Sequence, residues 1–379
     1  MTSPLKGVRI LDFSRVLAGP YATMYLADLG ADVVKVERPE VGDDTRSFGP
    51  PFSQGVSTYF LSINRGKRSV VLDLKTDAGR ETALDLATKA DVVIENFRPG
   101  VMQKLGLGYD AMRVLNPALV YCSISGFGRD VPRAGYDLVI QGMGGIPSIT
   151  GEVSGLPVKC GASIADLVTG LNAVQGILAA LYRRSMTGEG GLVDVPMIDG
   201  QAALLTYHAS GLLNAGVEPK RLGNHHPSIH PYGSYQASDG FLNVAIGNEK
   251  LFKAFASSLG HDEWVVDERF SNNAVRVANR VHLDPLIERA LAGDTVANWC
   301  RRLAATGVPA GPINSVAQAV AEVDLVEHRH PSGEGWVKST PLPYRIDDCP
   351  RASPLPPPKL GQHTEEVLLD WLEDEDSAN

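Results

Sequence analysis

The chain has 379 residues, 44% of them hydrophobic and 21% charged, which is enough apolar sequence for a sizeable core and more length than one core usually serves. A formal net charge of −9 works against non-specific attachment to nucleic acid or to an anionic membrane, both of which reward clustered positive charge. Cys122, Cys160, Cys300 and Cys349 are scattered without C-x-x-C spacing, which argues against a disulfide framework and a zinc knuckle and fits a reducing compartment. The opening MTSPLKGVRILDF passes into a strand-like run without the marks of an export leader, and no stretch is expected to span a bilayer, so the expected location is cytoplasmic.

In chain order, VRILDF (8–13), ADVVKVE (31–37), SVVLDL (69–74), ADVVIEN (90–96), ALVYCSI (118–124) and LVDVPM (192–197) read as buried strands, being β-branched runs of strand length. Helical patterns lie between them: YATMYLADL, GRETALDLATKA and the long DLVTGLNAVQGILAALYRR. Such alternation predicts a mostly parallel sheet with helices on its faces. After about residue 225 the turn-rich NHHPSIHPYGSYQASDG, the strand-like GFLNVAIG and three helical segments predict a smaller domain, which GVPAGPIN (307–314) punctuates. A proline-rich run and a short amphipathic helix follow, and the acidic EDEDSAN end reads as disordered.

The first strand–loop–helix–strand unit ends at Glu37, where a ribose-binding acid would sit, yet its loop reads SRVLAGP. A single Gly there cannot supply the close backbone approach that a dinucleotide pyrophosphate needs. Basic residues recur near the expected carboxyl ends of the strands: Arg15, Arg38, Arg65, Lys67, Arg68, Lys75, Arg98 and Lys104. Gathered on one edge they suit a polyphosphate, and singly they read as surface charges. Asp166, in GASIADLVTG, falls in the first turn of the long helix, where an Asp is ordinarily a cap and where a carboxylate could also be held ionised as a nucleophile. His225, His226 and His230 crowd one turn, but no Cys or carboxylate flanks them at ligand spacing, so no metal is expected.

LDFSRVLAGPYATMYLADLGADVVKVERP, NRGKRSVVLDLKTDAGR, ADVVIENFRPGVMQKLGLGYD, GYDLVIQGMGG, IADLVTGLNAVQGILAALYRRSMTGEG, GVPAGPIN and LGQHTEEVL together resemble the family III CoA-transferases over nearly the whole chain. That resemblance implies an α/β fold: a large Rossmann-like domain with a mostly parallel sheet (1–220, completed by 321–379), a smaller α+β domain (225–320), and two protomers interlocked as a homodimer. It places the nucleophile on Asp166, with Asp137 and Tyr136 orienting it. Contacts to CoA fall on Leu17, Ala18, Arg38, Leu72, Asp73, Leu74, Lys75, Asn96, Phe97, Arg98 and Lys104. The partners implied are an acyl-CoA, a carboxylic acid and a second copy of the chain, with CoA entering as substrate and no cofactor or metal.

Racemases on the same scaffold need an acid/base on each face of an α-carbon. Where they carry His and Glu, this chain has Tyr136 and Asn248, which favours transfer; a CoA-binding protein without chemistry and an acyl-CoA hydrolase are further alternatives. The wording RVLAGP, GDDTRSFGPPF, RAGYD and SIHPYGSY resembles the succinyl-CoA:glutarate branch. Leu17, where formyl-CoA transferase has Gln, and HHPSIHPYG in place of a glycine-rich flap argue against formyl or oxalate substrates. An acyl and acceptor pocket is expected around His226, Ser228 and Asn248.

Overall fold

The computed structural model describes residues 3–373, so all but the first residue of EDEDSAN lies outside the described residues. The chain divides into two compact units, the first made of Met1–Ile146, Lys159–Ala215 and Asp324–Asn379, the second of Pro147–Val158 and Gly216–Val323. The sequence alone keeps 147–158 with the large domain; in the structure this excursion belongs to the second unit, where Gly223 N–H donates to the Gly151 carbonyl at 3.0 Å.

Six parallel strands form the sheet of the first unit: β1 (Arg9–Asp12), β2 (Asp32–Glu37), β3 (Lys67–Val71), β4 (Val92–Glu95), β5 (Val120–Ser125) and β6 (Gly191–Pro196), in the order β3-β2-β1-β4-β5-β6. The direction of winding reverses between β1 and β4. In a doubly wound sheet, ligands bind in the crevice outside the carboxyl ends at that point.

The pleat sends alternate residues to opposite faces. Ile10, Val33, Val92, Ile94 and Val120 pack with helix α1 (Ala18–Asp28), while Leu11, Val34, Val93 and Tyr121 pack on the other side. A short helix, α2 (Thr58–Ile63), precedes β3, and α3 (Asp77–Lys89) crosses from β3 to β4 on the second face. Beyond β4 come α4 (Val101–Lys104) and, after β5, α5 (Asp137–Met143). The 24-residue α6 (Ile164–Thr187) packs on the first face beside α1. By length and composition α6 could cross a membrane, which corrects the expectation that no stretch comes near. Ala173, Val174 and Ile177 are nonetheless part of the sheet's core, as in the core helix of a soluble protein.

Two details bear on the site. Strand β3 ends at Val71, earlier than the sequence pattern suggests, which frees Leu72–Lys75 as a loop at the strand's carboxyl end. The returning C-terminal segment then satisfies β3's outer edge: Ser69 and Val71 donate their N–H groups to His363 Nδ1 and Thr364 Oγ1 at 3.1 Å each, and His363 N–H returns a bond to Ser69. That is how the LGQHTEE segment protects an edge strand from foreign pairing.

The second unit has an antiparallel sheet of β7 (Tyr232–Gln236), β8 (Phe241–Ala245) and β9 (Ala310–Pro312), ordered β9-β8-β7. GVPAGPIN therefore supplies an edge strand as well as punctuation, with Pro312 where a missing donor is tolerated. Helices α7 (Glu249–Leu259), α8 (Arg280–Leu291) and α9 (Val296–Ala305) cover it around a core that includes Tyr235, Phe252, Phe255, Leu283 and Trp299.

Candidate active site

The loops leaving β1 and β4 are tied together at the point where the winding reverses. Arg15 N–H donates to Asn96 Oδ1 at 2.8 Å, and Asn96 Nδ2 donates back to the Arg15 carbonyl at 2.6 Å. Between them Val16 is held at φ +68°, a conformation a β-branched residue rarely adopts, and its N–H reaches Asp43 Oδ1 at 3.3 Å. This places Leu17 as the N-cap of α1 with no side-chain cap, so the helix's first N–H groups are bonded by no side chain among the described residues.

Beneath the loop lies a buried charge network. Lys35 Nζ pairs with Asp43 Oδ2 at 2.9 Å and donates to the Ser14 carbonyl, and Lys67 Nζ bonds the Pro20 carbonyl and Asn64 near Asp12. Burial opposes ionisation of Asp12, but Lys67 and Lys35 outweigh it and hold its carboxyl below the usual range. Glu95, at the end of β4, accepts from Ser123 Oγ at 2.5 Å and Phe97 N–H at 2.9 Å, and burial lifts its carboxyl to about 7.

Asp166 is not the cap of α6. Asp137, from the start of α5, takes that role across space: its Oδ1 accepts the Ala165 N–H at 3.0 Å, while Gln141 Nε2 holds Oδ2 at 2.8 Å and Gln141 Oε1 accepts from Cys160 N–H. Asp166 is thereby left, at the positive end of a 24-residue helix, accepting no hydrogen bond from any described residue. Burial and the neighbouring Asp137 charge push its carboxyl up to about 7. Gly170, one turn on, lets α6 approach α1: a Cβ there would stand 2.7 Å from the Ala18 carbonyl oxygen and 3.0 Å from Tyr21.

Asp166 lines a cavity of about 150 Å³ with Leu17, Ala18, Asn96, Arg98 and Tyr136. A larger cavity, about 560 Å³, is lined by Arg38, Leu72, Asp73, Leu74, Lys75 and the 39–43 turn. Arg15 and Phe97 line both, with the Arg15 guanidinium 5.0 Å over the Phe97 ring, so the two cavities adjoin. Of the residues expected to touch CoA, Lys104 alone lines neither; it is exposed on α4. His226, Ser228 and Asn248 belong to the second unit, where the Asn248 side chain caps α7 through Leu251 N–H at 2.9 Å and His226 Nδ1 accepts from Ser228 N–H at 3.0 Å.

The shared basic edge holds only in part. Arg65, Lys67 and Arg68 enter at the amino end of β3 and are spent in ion pairs: Arg65 with Asp28 at 2.6 Å, Lys67 beside Asp12, Arg68 with Asp32 and Asp370. Two residues that sequence reasoning missed lie near Asp166. Arg133 lines its cavity, and burial, followed by the charges of Asp166, Asp137 and Asp43, raises the phenol of Tyr59 on α2 to about 12 and keeps it an O–H donor. Neither carries a spacing signal.

Two adjoining cavities at the strand crossover, one of them lined by a carboxylate that accepts no hydrogen bond from any described residue, agree with the comparisons. The model of CoA-transferase family III matches residues 5–364. The chain belongs to CoA-transferase family III. It is 42% identical over 387 residues to the succinate–glutarate CoA-transferase of Agrobacterium fabrum, covering 97% of this chain and 95% of that protein. The acetyl-CoA:oxalate CoA-transferase of Acetobacter aceti is 42% identical over 320 residues, covering 83% and 82%. The crystal structure of a CaiB/BaiF family protein from Brucella suis superposes with a TM-score of 0.86 at 42% identity, covering 98% of this chain and all of that one. This family III member is a CoA-transferase enzyme.

Proposed function

We propose that the enzyme moves CoA from succinyl-CoA to a small dicarboxylate through Asp166 as covalent nucleophile. The observation that carries this reading is the Asp166 carboxylate, which accepts no hydrogen bond from any described residue and lines the smaller of two cavities that share Arg15 and Phe97. CoA's nucleotide suits the larger cavity, beside Arg38 and Lys75, and its thioester the smaller one. Asp166 attacks the thioester carbonyl, the C–S bond breaks, and CoA leaves as thiolate, giving a mixed anhydride. The thiolate attacks the aspartyl carbonyl, succinate departs, and an aspartyl-CoA thioester remains. The acceptor carboxylate then attacks that thioester, and the returning thiolate takes the acceptor's acyl group, restoring Asp166. Free N–H groups at the start of α1 suit the developing oxyanion. The steps balance without a metal or redox cofactor.

Tyr136 and Asn248, standing where racemases carry a His and a Glu, support transfer over racemisation. Glutarate as acceptor rests on the Agrobacterium relative; the oxalate-using relative, of equal identity, makes oxalate the second acceptor to assay. If His226 receives the acceptor's distal carboxylate, His226→Ala raises the acceptor KM at least tenfold with little change in the succinyl-CoA KM; an unchanged acceptor KM removes that assignment.

Gly170→Ala drives a methyl group against the Ala18 carbonyl, parting α1 from α6 beside Asp166, and lowers kcat on the order of 100-fold. Only ionised Asp166 attacks, so kcat/KM rises with pH to a plateau above about 7 and falls about tenfold per unit below it. Asp137→Asn removes the charge that opposes ionisation and moves this limb to lower pH. A flat profile between about pH 5 and 8 contradicts this reading.

The family resemblance also supports an interlocked homodimer, and the scattered cysteines suit a reducing, cytoplasmic compartment. Apolar side chains exposed on the first unit, among them Tyr182, Met186 and Leu213, are surface that a second copy would cover. Light scattering at two monomer masses is the expected result.

A further inference from the structure

We infer that His225, His230 and Asp284 form a binding site for a divalent transition ion of the zinc class, inside the second unit and independent of the transfer chemistry. The three residues each offer a ligand atom, and these atoms lie within 4.8 Å of one another. His230 Nε2 is 3.3 Å from Asp284 Oδ1, and His225 Nε2 is 3.9 Å from Asp284 Oδ2.

The second observation is polar atoms left without partners. His230 is completely buried, yet neither ring nitrogen makes a hydrogen bond with any described residue, and His225 Nδ1 is orphaned too. Buried donors and acceptors are almost always satisfied, so an orphaned imidazole aimed at a carboxylate and a second imidazole calls for a ligand. Packing fixes the His225 ring. His225 lies against Gly233, where a Cβ would come 2.6 Å from Nδ1, and its ring meets Tyr235 edge-on.

The donor set decides the ion. Two imidazole nitrogens and one carboxylate suit Zn²⁺, Co²⁺ or Ni²⁺, whereas Mg²⁺ and Ca²⁺ prefer oxygen cages. Tyr235 Oη donates to Asp284 Oδ1 at 3.1 Å, the outer hydrogen bond that commonly orients a ligating carboxylate. Two nearby guanidiniums are already engaged: Arg276 binds Glu249 and the His230 carbonyl, and Arg280 the His226 carbonyl. Sequence spacing hides the site because its carboxylate comes from α8, far along the chain from the histidine turn. A bound ion would cross-link that turn, which also carries His226 and Ser228, to α8.

The test uses the full-length protein, freed of metal with a chelator and titrated with Co²⁺, then with Zn²⁺ in competition, alongside thermal melts. The expected result is one equivalent of Co²⁺ with visible ligand-field absorption, displacement by Zn²⁺, and a Zn²⁺-dependent rise in Tm that Mg²⁺ does not produce. His225→Ala, His230→Ala and Asp284→Asn each abolish the spectrum, and Tyr235→Phe weakens binding about ten- to a hundred-fold. His225 is partly exposed, so His225→Ala remains a valid test where His230→Ala fails to fold. No saturable Co²⁺ binding by the wild type, or binding unchanged in folded His225→Ala and Asp284→Asn, overturns the inference.

Discussion

Asp166→Asn abolishes CoA transfer and, at the same time, makes the protein harder to melt. The amide cannot attack a thioester, and loss of a covalent nucleophile in other enzymes costs on the order of 10⁴-fold or more. The stability effect follows from the raised carboxyl. In the fold burial and Asp137 disfavour the charge of Asp166 and push its carboxyl up to about 7, from 3.8 for an ordinary Asp. Between those values the native state holds a proton that the unfolded chain has released, so this group's contribution to stability declines as pH rises from about 4 and reaches its full penalty above about 7. Removing the charge therefore stabilises by about 1–3 kcal/mol at pH 8, and by little near pH 4. Calorimetry should find a Tm gain of several degrees at the higher pH only. A lower Tm for Asp166→Asn at pH 8 would mean that Asp166 serves the fold.

Asp28→Ala should be the most damaging single change to the fold considered for this chain, at about 3–5 kcal/mol. Arg65 forms a two-pronged pair with Asp28, Nε at 3.1 Å and Nη2 at 2.6 Å, and both side chains are almost fully buried. Truncating the acid strands a guanidinium away from water. It also breaks the bond from Ser353 N–H to Asp28 Oδ1 at 2.8 Å, which ties the returning C-terminal segment to α1. Exchanging both partners for apolar residues, Asp28→Leu with Arg65→Met, should cost much less than Asp28→Ala, because no charge is left buried alone. Urea unfolding checks this through the midpoints: a double variant no more stable than Asp28→Ala would show that the damage comes from lost shape and the lost Ser353 bond.

How legible these features are in the sequence depends on how local they are. The β-branched runs at 8–13, 31–37 and 90–96 announce strands because both faces of the sheet are covered, which strips them of polar alternation. The strand order is not local, so nothing in SRVLAGP says that it meets Asn96. Asp166 is conspicuous as an acid in a helix's first turn, but that position alone favours a cap, and only the fold shows Asp137 doing the capping. Arg65, Lys67 and Arg68 mislead because a basic run reads as surface while their acids, Asp28, Asp12 and Asp32, come from elements earlier in the chain. Tyr59 and Arg133 are single residues with no period or spacing, and their nearness to Asp166 is a tertiary fact. GVPAGPIN looks like a breaker because Gly and Pro dominate it, yet an edge strand tolerates both.

The central claim is that Asp166 carries the acyl group and then CoA. It is tested most directly by mass spectrometry of the intact, rapidly quenched protein after incubation with succinyl-CoA, followed by peptide mapping, with Asp166→Ala in parallel. The expected result is a CoA-mass adduct on the peptide that contains Asp166, lost on addition of the acceptor and absent from the variant. New acyl-CoA formed at undiminished rate by Asp166→Ala, or an adduct mapped to another residue, would contradict it.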